Sequence, residues 1–198
     1  MISETHLTGS NLRLDVVVPE VRVADVAFNA AQIQTALASL KADDLDWIVF
    51  PRLCLTGASC GDLFRQKLLQ TASLQALLDL VPLTAGMPSK VLLGLPLAIG
   101  DEVFEGVVLL NDGEVKALMV TDHPDSPALS SSARLPENAQ IKLGDKLISL
   151  TTCQPFRFGN VEFLLGHQQP TENETGLLIN LVTLPALAPA EENLQTAF

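Results

Sequence analysis

The stretch WIVFPRLCLTGASCGDLF, residues 47–64, decides how this chain is read. Trp47 to Phe50 form a continuous apolar run of the kind found in strands buried on both faces. Pro51 closes the run, and a polar turn then leads toward a helical pattern. Loops at the ends of buried strands are frequent sites of chemistry, because a rigid scaffold there presents side chains to a cleft. The side chain so placed here is Arg52. A guanidinium stays protonated at any working pH, so it acts neither as base nor as nucleophile. Two readings of Arg52 follow from the residues alone. It is an anion-binding or partner-binding group in a cleft, or it is exposed or salt-bridged to a local acid such as Asp62.

On either side of this stretch the pattern alternates. LRLDVVVPEV reads as a first strand ended by Pro19. DVAFNAAQIQTALASLKAD follows with Val26, Ile33, Leu37 and Leu40 near helical spacing and Asp25 placed to cap it. GDLFRQKLLQTASLQALLDLV reads as a second amphipathic helix, with Asp62 near its start and Pro82 just past its end. KVLLGLPLAI is a third strand. EVFEGVVLLNDGEVKALMV is a hairpin whose turn, Asn111-Asp112-Gly113, uses residues that tolerate positive φ. Residues 121–140 turn polar and rich in Ser, Pro and Asp, as a long loop does. KLISL, VEFLLG and GLLINLVTL supply further strands. The pattern predicts one layered α/β domain over residues 1–185, with 186–198 as a tail or linker.

Composition limits the function classes. The chain has 198 residues, 47% apolar and 18% charged, which suits one well-buried domain. No apolar run approaches the roughly 18–20 residues that span a bilayer. The N-terminal segment lacks the positive charge and apolar core of a signal peptide, so a cytoplasmic location is expected. The formal net charge of −11 disfavours nucleic acid and anionic membranes as partners. Cys54, Cys60 and Cys153 are odd in number and irregular in spacing, which argues against a disulfide framework. Together with His6, His123 and His167 they form no metal-ligand motif, so neither a metal nor a cofactor is expected.

The segments VVVPEVRVADVAFNAAQI, VFPRLCLTGASCGDLF, LLGLPLAIGDEVFEGVVLLNDGEV and LLINLVTLP resemble, in order, the carbon–nitrogen hydrolase (nitrilase) superfamily. The nearest branch is similar to the N-terminal glutaminase domain of glutamine-dependent NAD synthetase. The likeness runs from about residue 12 to 185 and is strongest before residue 120. It implies an α-β-β-α sandwich, shortened at the C-terminus. It also implies chemistry by three residues: a Cys that attacks the amide carbon, a Glu that takes its proton, and a Lys that stabilises the oxyanion.

All three positions depart from the family. Where the family reads FPELSLTGY this chain reads FPRLCLTGA, so Arg52 stands at the base position and Ala58 replaces a tyrosine. LMVTDHP aligns with the family's VVPKTYLP and sets Thr121 at the Lys position. EFLLGHQQP aligns with the nucleophile strand and sets Gly166 at the Cys position. The resemblance therefore implies a degenerate, catalytically inactive domain with no intact catalytic residue. Ala58, Asp62, His123 and His167 are its candidate pocket residues. Its expected role is structural or regulatory, through a homodimer or through docking to a synthetase domain.

Two alternatives remain open at this stage. One is an active C–N hydrolase rebuilt around Cys153, His167 and an acid from the long loop. The other is a binding module that holds a carboxylate ligand with Arg52. Lys116 lies five residues before Thr121, an odd shift that points it to the other sheet face, so it is not expected to replace the lost Lys. Arg52, Thr121 and Gly166 are expected to converge within about a dozen ångströms at one end of the central strands, as loop-borne site positions do.

Overall fold

The computed structural model describes residues 13–121, 124 and 126–152, and the backbone of 156–158, 161–164 and 177–178. Strand β1 (Leu14–Val16), helix α1 (Val26–Leu40), strand β2 (Trp47–Val49), helix α2 (Lys67–Leu80) and strand β3 (Lys90–Ile99) form two successive crossover units. β1, β2 and β3 pair in parallel, as strands joined by helices must. Strands β4 (Glu102–Asn111) and β5 (Glu114–Val120) then extend the sheet antiparallel. Strands β6 (Gln140–Leu143) and β7 (Lys146–Thr152) complete seven strands in the order β1-β2-β3-β4-β5-β7-β6. Strands β8 (Phe156–Phe158), β9 (Val161–Leu164) and β10 (Leu177–Leu178) form a separate three-stranded sheet.

The helices lie on one face of the large sheet. Ile33 and Leu37 of α1 and Leu69, Leu77 and Leu80 of α2 join Ile48, Phe50, Val91, Leu93, Val108, Leu110, Leu118 and Val120 in one core. Burying each such side chain is worth roughly 1.5–3 kcal/mol, so this face carries most of the stabilisation described. The alternate residues Trp47, Val49, Leu92, Val107, Leu109 and Met119 face the other way and are also buried. The central strands are therefore dry on both sides, which accounts for their unbroken apolar runs. Among the described residues, no helix is long and apolar enough to cross a membrane.

Local chemistry fixes the boundaries. Asp25 caps α1 by accepting the Phe28 N–H at 3.1 Å. Asp112 and Gly113 both take positive φ, as a two-residue hairpin turn of this hand requires. The turn is tied back to the 3-10 turn that follows α2, Val81–Thr84, and the residues just after it through Asp112 Oδ1, which accepts the Gly86 N–H, and Thr84 Oγ1, which accepts the Gly113 N–H.

Three expectations need correction. Helix α2 begins at Lys67, not at Gly61. Residues Ala58–Arg65 form 3-10 turns broken at Gly61 (φ 52°, ψ −128°), and Gln66 is extended, so an α-helix cannot run through them. Asp62 sits exposed in these turns, and Gln66 holds the cap position of α2. Strand β6 joins the strand read at KLISL in a hairpin through Gly144 and Asp145, with Gly144 at φ 58°. Strand β8 also has no counterpart in the sequence reading.

Asn29 was likewise not singled out. It is fully buried in α1, and its side chain accepts the Arg22 N–H at 2.7 Å. Its amide donates to the carbonyls of Arg22 at 2.8 Å and Leu55 at 3.1 Å. One residue thus ties helix, preceding loop and β2 loop together. Asn29→Ala strands buried polar groups on two loops and is expected to cost about 2–4 kcal/mol. Asp25→Ala, at an exposed cap, is expected to cost about 1 kcal/mol. Urea denaturation of both variants checks the order.

Candidate functional site

The site is built on the loop that leaves β2. From Arg52 to Gly57 every residue is buried, which is unusual for a loop and demands partners for its backbone. The chain supplies them locally. The Leu53 carbonyl accepts the N–H groups of Thr56 (3.0 Å) and Gly57 (2.7 Å), and the Thr56 carbonyl accepts the Ala24 N–H (2.8 Å). To close this turn Leu53 adopts φ 51°, a left-handed conformation that costs a non-glycine residue about 1 kcal/mol or more. Gly57 follows at φ 81°, where a side chain would be strained as well.

The loop lies directly on β3. A Cβ placed on Gly94 would come within 2.5 Å of the Leu53 nitrogen and 2.7 Å of the Arg52 Cα. Only glycine permits this approach, since the obstructing atoms are backbone and cannot rotate away. The contact sets the height of the Arg52 backbone over the sheet. Leu95 and Leu93 then enter the helix-side core, while Pro96 pairs with Glu105 on the strand opposite.

Arg52 points inward. Its Nε donates to Glu105 Oε1, and the two side chains are 3% and 0% exposed. The expected local partner Asp62 and the expected exposure are thus both replaced by a buried ion pair with an acid on β4. Glu105 also fixes Thr121: its carbonyl accepts the Thr121 N–H at 3.0 Å, one step beyond the Gly106 and Val120 pairing. Thr121 is buried too. Arg52 and Thr121 therefore meet at the same residue, Glu105, inside β4 and beside the C-terminal end of β5. His123, Cys153, Gly166 and His167 lie outside the described residues.

The remaining candidates separate from this point. Ala58 is half-buried at the start of the 3-10 turns. Lys116 is ion-paired with Glu114 at 2.7 Å near the hairpin turn, and Lys146 reaches the same carboxylate at 3.2 Å. Hydrogen bonds from these two lysines hold the Glu114 carboxyl below its usual range. Cys54 and Cys60 are buried free thiols. Burial pushes the Cys54 thiol up to about 12, outweighing its bond to the Gly94 carbonyl at 3.5 Å. Burial also raises Cys60, whose Sγ donates to the Thr56 carbonyl at 3.1 Å. Neither supplies a thiolate near neutral pH, and the thiolate is the attacking form. Among the described residues no group of His, Cys, Asp and Glu is placed to hold a metal ion.

A further contact closes the N-terminal end of β4, three residues before Glu105. Ser130 donates its N–H to the Val103 carbonyl at 2.7 Å and its hydroxyl to Glu102. Arg134 Nη1 donates to the same carboxylate at 2.8 Å. Hydrogen bonds from the Ser130 hydroxyl and then from Arg134 hold the Glu102 carboxyl below its usual pKa, so this docking of the long loop holds above the usual carboxylate range and weakens as pH falls.

No family model matches the chain, and no curated protein sequence matches it either. Solved structures do. A glutamine-dependent NAD(+) synthetase from Cytophaga hutchinsonii is 19% identical, with 79% of this chain and 27% of that chain covered at a TM-score of 0.65. An amidase from Nesterenkonia sp. is 18% identical over 80% of this chain and 56% of that one, at a TM-score of 0.54. The synthetase from Acinetobacter baumannii, solved with ADP, is 16% identical over 76% and 26%, at a TM-score of 0.54. What is shared at these identities is the fold, which is the nitrilase-like α/β architecture. The chain spans about a quarter of the synthetases' length and just over half of the amidase's.

Gly94 has a measurable consequence. Gly94→Ala drives a methyl into the Arg52 and Leu53 backbone and is expected to destabilise by about 1–3 kcal/mol. Gly144→Ala, in an open turn, is expected to lose only the smaller cost of its positive φ. Thermal denaturation of the pair separates close approach from turn geometry.

Proposed function

We propose that this chain is a nitrilase-like domain that no longer hydrolyses amides and acts by association, as a homodimer or docked to a synthetase domain. The observation that carries this reading is the buried ion pair of Arg52 and Glu105. On the alignment with the family, Arg52 holds the position of the general base, where a carboxylate within reach of the nucleophile is required. A guanidinium there can take no proton, and this one is directed at another carboxylate. Thr121, at the position of the oxyanion cation, contributes its backbone to the sheet and bears no charge.

A rebuilt hydrolase would need a nucleophile beside a base. Glu105 supplies a carboxylate, but it is fully buried and held by Arg52. The two described thiols are protonated at neutral pH. A carboxylate-binding role for Arg52 is disfavoured for the same reason, because an external acid would have to displace Glu105 from a dry site.

The association half of the proposal rests on surface chemistry. Val16 at the end of β1 and Val18, Val21 and Val23 between β1 and α1 stay exposed, and Leu68 at the start of α2 is 82% exposed. At a net charge of −11, two copies repel unless their contact is mostly apolar.

Purified protein is expected to release no ammonia above background from glutamine, asparagine or simple amides. Turnover that Cys153→Ala abolishes would overturn the inactive reading and favour a rebuilt site. Light scattering at low micromolar concentration is expected to give a dimer, or a monomer that shifts on adding a synthetase domain. A monomer indifferent to that addition would remove the association role.

A further inference from the structure

We infer that Arg52 and Glu105 form one interlocked latch, which joins the β2 loop to β4 and the end of β5 and excludes a carboxylate from position 52. The inference goes beyond the reading above and holds whether or not the domain turns over an amide, because it stands on placement alone.

Each charged group is fixed from its backbone side. The Arg52 backbone rests on Gly94, where even a methyl would not fit, so the loop cannot settle closer to the sheet. The left-handed Leu53 and its two accepted hydrogen bonds hold the turn that follows. Glu105 is a ladder residue of β4, opposite Pro96 of β3, and its carbonyl holds Thr121. Moving Glu105 would therefore pull the end of β5 with it. With the two side chains 3% and 0% exposed, water cannot stand in for either partner.

A buried pair of this kind tolerates removal of both charges far better than removal of one. Reversing one is worse again, because two carboxylates would then share a desolvated space. The charge at 105 thus decides which residue position 52 accepts. The acid of this site has its place on β4, and a return of Glu to the β2 loop requires a change at 105 first.

The test is a double-mutant cycle on the full chain, with thermal midpoints read by circular dichroism for Arg52→Glu, Arg52→Gln, Glu105→Gln, Arg52→Glu with Glu105→Gln, and Arg52→Gln with Glu105→Gln. Arg52→Glu is expected to show the lowest midpoint, on the order of 10 °C below the parent. Adding Glu105→Gln to it is expected to raise the midpoint again, although Glu105→Gln alone lowers it. If Arg52→Glu yields no folded protein, recovery of folded protein by the added Glu105→Gln supports the latch equally. The latch is overturned if Arg52→Glu is no worse than Arg52→Gln. It is also overturned if the added Glu105→Gln lowers the midpoint further, or if Arg52→Glu with Glu105→Gln stays unfolded while the neutral Gln pair folds. An ammonia assay of the parent keeps the two readings apart: activity there would sink the inactive-domain proposal and leave the cycle unaffected.

Discussion

A guanidinium and a carboxylate buried against each other constrain everything around them. An unpaired charge in such a place would cost several kcal/mol in lost hydration, so the loop after β2 and the Glu105 stretch of β4 support each other. Arg52 and Glu105 are 53 residues apart in the chain, and their contact closes the longest side-chain link in the described site. Around it the other features fall into place. Gly94 lets the loop come down to the sheet, Leu53 bears the backbone strain of the turn, and Asn29 anchors the Leu55 carbonyl from the helix layer. The pair itself contributes little net stabilisation relative to a well-packed apolar pair. Its effect is specificity, because it leaves the loop one arrangement in which both charges are satisfied.

The same constraint shapes what chemistry the site can do. An enzyme site keeps its charged groups accessible to a substrate and preorganised toward an absent partner. Here the two charged groups are turned toward each other and shielded from water. The thiol on the same loop, Cys54, is pushed up to about 12 by the burial that the loop requires. A dry, fully buried loop and a reactive thiolate are incompatible without a cation nearby to stabilise the thiolate. The cation present is already held by Glu105. Burial and pairing therefore point in one direction, toward a loop that holds a fold together.

Much of the fold was legible in the sequence, because its signals are local. The apolar run of β3, the cap at Asp25 and the turn at Asp112 and Gly113 each declare themselves within a few residues. The start of α2 was not legible, since GDLFRQ has helical composition and its break depends on Gly61 and Gln66 conformations imposed by the buried loop before it. Strand β6 is short, with only alternate residues buried, and a four-residue segment carries too little periodicity to stand out. The position of the site at the end of β2 was readable from the resemblance around residues 47–64. Its content was not. Glu105 looks, in EVFEGVV, like a solvent-facing residue of a hairpin, and nothing local says that it faces an arginine from the loop after β2. Pairings that close across a sheet are tertiary facts, and composition around either residue is silent about them.

The fold likeness to an amidase and to NAD synthetases makes the sign of the charge at position 52 informative. A scaffold can host many sites, and its persistence says little about which chemistry remains. A buried arginine is harder to dismiss as drift, because it is not tolerated without a compensating acid, and the acid is present. Each charge offsets part of the desolvation of the other. Packing alone would more readily be served by small or apolar residues, such as Ala58 on the same loop. A matched pair is instead what results when the loop itself must stay in place. What these observations share is a loop, dry and paired at its charged residue, that belongs to the core of the domain.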